Sequence, residues 1–106
     1  MQQVQGQRTP AVRASPIPRS LADAVALRYS VDPDHFWALI LCESRGYPDR
    51  IGTAGERGPA QFLPATFDWM ARLSGLPLTD IDDPVQNVEL AAWGVGNGLS
   101  GHWTCW

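Results

Sequence analysis

Apolar positions fall without helical or strand period over residues 1–18, a stretch rich in glutamine and proline. It reads as a tail or linker, and the folded domain is drawn over residues 19–106. From Ser20 the pattern changes. Leu21, Val25 and Leu27 line one helical face behind a capping-box-like start at Ser20 and Asp23, predicting a short helix to about residue 30. Asp32-Pro33 then sets an N-cap acid before a proline at the first helical position. Phe36, Trp37, Leu39, Ile40 and Leu41 follow with scarcely a polar break, so this second helix is expected to be buried nearly all round.

Around residues 47–57, Gly46, Pro48, Gly52 and Gly55 punctuate a loop with room for no more than a minimal β-hairpin. Leu63-Pro64 opens a third helix, with Phe67, Met70 and Ala71 on one face and Gly75 as its stop. Asp83-Pro84 repeats the earlier start signal, and Val85, Val88, Ala92, Val95 and Leu99 continue at helical steps. Gly94, Gly96 and Gly98 weaken the later turns, predicting that the regular helix stops near Trp93.

A length of 106 residues with 44% hydrophobic and 18% charged positions suits one small domain with one site. Eight arginines against eleven acids, with no lysine, argue against a sequence-independent nucleic-acid binder or an anionic-membrane binder. No apolar run approaches the roughly 18 to 20 residues of a membrane span, and the first thirty residues lack the pattern of a secretory signal. Work outside a cytoplasm would therefore call for another route of export. Two cysteines, Cys42 and Cys105, have no zinc-site spacing and read as buried thiols or as one disulfide. A bridge would close a loop of about 60 residues, contributing on the order of 4 kcal/mol in the chain-entropy account. Neither a metal nor a cofactor is called for. The five tryptophans, Trp37, Trp69, Trp93, Trp103 and Trp106, suit either a packed small core or a carbohydrate-stacking groove.

Of three glutamates, Glu43 stands out because it ends the most apolar helix, on the face of Phe36, Leu39 and Ile40. Spacing alone allows a solvated helix-end carboxylate. It also leaves open a partly desolvated carboxyl with a raised pKa, protonated near neutral pH and able to act as a general acid.

The blocks Cys42-Glu43-Ser44-Arg45-Gly46-Tyr47-Pro48 and Gly55-Glu56-Arg57-Gly58-Pro59-Ala60-Gln61-Phe62-Leu63-Pro64-Ala65-Thr66-Phe67, in that order, resemble the catalytic core of SLT-type lytic transglycosylases of the lysozyme-like superfamily. The resemblance spans about residues 36–93. Cys42 before the glutamate, with Cys105 after Trp103 near the C-terminus, is similar to the resuscitation-promoting-factor branch, and this implies a Cys42–Cys105 bridge. The implied fold is mainly α, a small α+β lysozyme-like domain with its cleft between the helix ending at Glu43 and the loop from Gly55 to Gln61.

Carried over, the resemblance makes Glu43 the acid that protonates the glycosidic oxygen. Ser44 would orient that carboxylate or the nearby backbone, or serve only as a helix C-terminal hydroxyl. Gln61 would bind sugar, Gly55 and Gly58 would let the loop approach it, and Tyr47 would line the cleft or brace the loop. Phe62 and Phe67 are assigned to the core. Many family members carry Ala-x-Tyr-Asn-Ala-Gly where this chain has Ala91-Ala92-Trp93-Gly94-Val95-Gly96, so Trp93 would replace the tyrosine without its hydroxyl. Some resuscitation-promoting factors place an acid where Leu63 stands.

No second catalytic carboxylate is evident, and Glu56, Asp49 and Asp80 read as surface charges. Hydrolysis of a glycoside usually needs two carboxylates. The resemblance therefore implies transglycosylation of peptidoglycan glycan strands, with a hydrolytic muramidase or a non-catalytic wall-binding module as the alternatives. The expected setting is cell wall, periplasm or extracellular space, with virion or secretion-apparatus proteins as potential partners of the N-terminal tail.

Overall fold

A computed structural model describes residues 14–106. The first thirteen residues of the expected tail lie outside this range. Four helices follow in order, α1 (Arg19–Arg28), α2 (Pro33–Ser44), α3 (Pro64–Ser74) and α4 (Pro84–Gly96), then a 3-10 turn at Ser100–His102. Among the described residues β structure is limited to isolated antiparallel bridges, Ile51 with Arg57 and Arg57 with Phe62. The protein is thus a small, mainly α domain, as the resemblance implied.

Both Asp-Pro starts operate as the sequence suggests. Asp32 accepts the Asp34 N–H at the head of α2, and Asp83 accepts those of Val85 and Gln86 at the head of α4. The capping box of α1 does not form. The chain enters from extended Pro18, so Ser20 already lies inside the first turn, and Asp23 pairs instead with Arg19 at 3.2 Å. The buried face of α1 is Ala22, Val25 and Ala26, whereas Leu27 is 65% exposed. Ile17, counted with the tail by the sequence pattern, belongs to the core, and its N–H donates to the Gly46 carbonyl at 2.8 Å.

Contrary to the sequence expectation, α2 is not enclosed. It buries Phe36, Leu39, Ile40 and Ser44, while Leu41 is 43% exposed and Trp37 half-buried. A domain of this size has too few elements to surround one helix. Helix α4 runs past Trp93 to Gly96 because its glycines serve close packing. A Cβ at Gly94 would lie 2.7 Å from Met70 Sδ, and one at Gly96 would lie 2.5 Å from the Tyr29 carbonyl oxygen. Tertiary contact there offsets the roughly 1 kcal/mol helix cost of each glycine.

The core gathers α1 and α4 with the inner face of α2, and α3 adds Phe67 and Met70. Phe62 sits edge-on to Phe67 and to Trp103, at 5.4 Å in each case, joining the loop, α3 and the C-terminal segment. A disulfide links Cys42, in the last turn of α2, to Cys105.

Candidate active site

The site is built on the C-terminal end of α2. Arg45 turns into the left-handed region at φ 56°, ending the helix one residue past Ser44. Ser44 is buried; its Oγ donates to the Ile40 carbonyl at 3.2 Å and accepts the Gly46 N–H at 3.0 Å. Ser44 therefore fastens the backbone that presents Glu43. Glu43 itself is half-buried and faces a cavity of about 310 Å³ lined also by Glu56, Gln61, Phe62, Leu63, Thr66, His102, Trp103 and Thr104.

The opposite wall is the loop from Tyr47 to Leu63. Paired backbone hydrogen bonds between Arg57 and Phe62 pinch it, and Gly52 N–H donates to the Glu56 carbonyl. Inside the pinch, Gly58 (φ +80°) sits so close to α4 that a Cβ would meet the Asn87 amide nitrogen at 2.5 Å. Only glycine fits both the backbone angle and the gap. Gly55, also at positive φ, has open space around it, so its turn conformation alone asks for glycine.

Asn87 is fully buried on α4, and sequence reading missed it. Its Oδ1 accepts the Ala60 N–H at 2.9 Å, and its Nδ2 donates to the carbonyls of Arg57 and Ile81. Trp103 Nε1 donates to the Ala60 carbonyl at 3.0 Å, and Arg57 forks onto Asp82. The loop is thereby tied to α4 and to the C-terminal segment. Asn87 shares a helical face with the buried Leu90, Ala91 and Gly94. A lone amide within that apolar face was the available signal.

Gln61 reaches the cleft in a particular way. Its Nε2 donates to the carbonyls of both Arg50 and Gly58, at 3.0 and 2.9 Å. Two acceptors as neighbours settle the amide orientation and leave Oε1 as the atom offered to a ligand.

Glu43 has its pKa raised, first by desolvation and next by the like charge of Glu56, with Arg50 opposing. The negative end of the α2 dipole acts in the same sense as desolvation. Glu56, read from sequence as a surface charge, instead lines the cleft beside Glu43, and one of its carboxylate oxygens accepts the Ala54 N–H at 2.9 Å. It is there because the bridges from Arg57 to Ile51 and Phe62 turn the loop inward; the turn glycines mark the loop in the sequence but not the side on which Glu56 falls.

The remaining expected residues lie elsewhere. Tyr47 lines a polar depression with Ser44, Arg45, Asp49, Arg50 and Ile51. Trp93 is half-buried against the core, and neither it, Gly58 nor Asp80 lines the cleft. Leu63 does, presenting an apolar side chain. Among the described residues no group of three or more His, Cys, Asp and Glu side chains could hold a metal ion.

A small helical domain with a protonatable carboxyl at a helix end, facing a bracing loop across an open cleft, is the lysozyme-like arrangement. Residues 20–99 match the family model of the transglycosylase SLT domain, and the chain belongs to that family. A comparison with curated proteins finds no match.

Proposed function

We propose that the chain is a peptidoglycan lytic transglycosylase that cleaves the β-1,4 bond between N-acetylmuramic acid and N-acetylglucosamine, with Glu43 as acid and then as base. The observation that carries this reading is the Glu43 carboxyl, with its pKa raised by burial and by Glu56, on the wall of the open cleft. Membership of the SLT family supports the substrate class.

In this mechanism the Glu43 carboxyl gives its proton to the glycosidic oxygen as the C1–O bond breaks. The 2-acetamido oxygen of the muramic acid supports the cationic C1. The C6 hydroxyl then closes onto C1 and returns its proton to Glu43, so no water is consumed and the acid is regenerated. Gln61 Oε1 accepts from a sugar hydroxyl or amide N–H. After desolvation, the like charge of Glu56 further favours the protonated form of Glu43.

The place of Glu56 also favours a second reading, hydrolysis, in which its carboxylate takes a proton from an attacking water. Mass spectrometry of digested walls separates the two. Transglycosylation leaves 1,6-anhydro-N-acetylmuramic ends, lighter by one water and resistant to borohydride, whereas hydrolysis leaves reducible ends. Predominantly reducible ends that disappear in Glu56→Gln would establish the second reading.

The proposed place of action is the wall itself, in the periplasm or outside the cell, where a disulfide such as Cys42–Cys105 persists. Delivery through virion or secretion-apparatus partners of the N-terminal residues belongs to the same proposal.

A further inference from the structure

We propose that Trp69 is the platform of a further sugar subsite, on which another N-acetylhexosamine ring of the same glycan strand stacks its C–H face; this rests on the glycan-cleaving reading above. Trp69 stands on α3 three residues after Thr66, so the two side chains share a face of the helix. Ala65, Thr66, Trp69 and His102 enclose a shallow, mostly apolar depression. Thr66 and His102 also line the cleft of Glu43, so the depression continues that cleft along α3.

Trp69 is 46% exposed, while Trp103 is buried and the other three tryptophans are half-buried. An indole left in water forfeits the stabilisation that burial would give, and a ligand that covers it recovers that term. The shelf is also braced. The His102 ring lies 5.5 Å from the indole at 42°, and His102 precedes Trp103, whose Nε1 is bonded to the Ala60 carbonyl. The depression has no carboxylate or guanidinium in its lining. A neutral, amphipathic ring fits it: a pyranose offers C–H groups to the indole, with hydroxyl and acetamido groups left for the Thr66 hydroxyl and His102. The aromatic lies on the shelf that extends the cleft, so its occupant is the strand already threaded past Glu43.

The test measures cleavage of purified, uncrosslinked glycan strands by wild type, Trp69→Ala and Trp69→Tyr, alongside calorimetric binding of the same strands to Glu43→Gln with and without Trp69→Ala. The expected result is a KM raised about three- to tenfold by the alanine change, with kcat held, and near wild-type KM for tyrosine, which keeps a stacking face. Binding to the Glu43→Gln protein should weaken by the same factor. Wild-type cleavage with an unchanged KM in Trp69→Ala would overturn the subsite and leave the enzymatic reading intact. Binding that depends on Trp69 in a wild type that does not cleave would sustain the platform and overturn the enzymatic reading. Strands neither bound nor cleaved would overturn both.

Discussion

Glu43 is held by three influences that all concern a single charge. Desolvation and the Glu56 carboxylate raise its pKa, and Arg50 moderates the rise. A carboxyl whose pKa is higher in the fold than in the unfolded chain ionises first in the unfolded chain. Folding stability is then lost as pH rises from the unfolded pKa through the folded one. Glu43→Gln removes that loss. The variant should melt higher than wild type at pH 7, and the difference should vanish below about pH 4, where both states are protonated. The same variant should lose at least about a hundredfold in wall-cleaving rate, because an amide cannot donate the proton. A wild-type rate would remove Glu43 from the mechanism. Glu56→Gln deletes a like charge, so the Glu43 pKa falls and the alkaline limb of the pH–rate profile should move to lower pH. An unmoved limb would show that Glu56 does not hold the proton on Glu43. Of the two acids, Glu43 was singled out by its place on the apolar face of its own helix, where spacing left its role open and the family resemblance named it the acid. Glu56 was not, since its place in the cleft depends on bridges from Arg57 to Ile51 and Phe62 that close the loop.

The helix that positions the loop opposite Glu43 is α4, which makes no direct contribution to the cleft lining. Its Asn87 supplies three hydrogen bonds to backbone, two of them to the loop at Arg57 and Ala60. Asn87→Ala would take the amide away from the buried Ala60 N–H and from the Ile81 carbonyl, while the Arg57 carbonyl keeps its bond from the Phe62 N–H; each group left unsatisfied costs about 1–3 kcal/mol. Chemical denaturation should show a loss in that range or above. Cleavage should fall with it even well below the melting temperature, because Gln61 rides on the same turn through the Gly58 carbonyl. Undiminished cleavage at the lowered stability would separate the loop from the anchor. The helix starts at Asp32 and Asp83 could be read directly, since capping and proline at the first position are local chemistry. The length of α4 could not. Propensity stops it at Trp93, and the contacts of Gly94 with Met70 and Trp103, distant in sequence, carry it on to Gly96. The partial exposure of α2 is likewise a property of how few neighbours a small domain supplies.

For the molecule as a whole, the site depends on joining its two halves. The cleft takes Glu43 from α2, but His102, Trp103 and Thr104 from the C-terminal segment. That segment is held by the bridge between Cys42 and Cys105, 63 residues apart. It is also held by Trp106, stacked on His35 at 3.4 Å, with a hydrogen bond at 2.9 Å between His35 Nε2 and the Trp106 carbonyl. Residue chemistry alone left the cysteines as thiols or a bridge, the resemblance implied the bridge, and the folded chain contains it. Cutting it returns a long loop to the unfolded ensemble. Cys105→Ser should cost roughly 2–5 kcal/mol of stability, a large share of what a domain of this size possesses. The thermal midpoint of the variant, and of wild type in reductant, should fall together, since Cys42 is exposed and open to attack. Activity should fall below the level set by unfolding alone, because the wall carrying His102 and Trp103 loosens against Glu43. Thiol titration of the unreduced, denatured wild type should find no reactive cysteine. Two titratable thiols there, or an unchanged midpoint in Cys105→Ser, would mean that Trp103 and the His35 stack suffice to hold the segment without the covalent link.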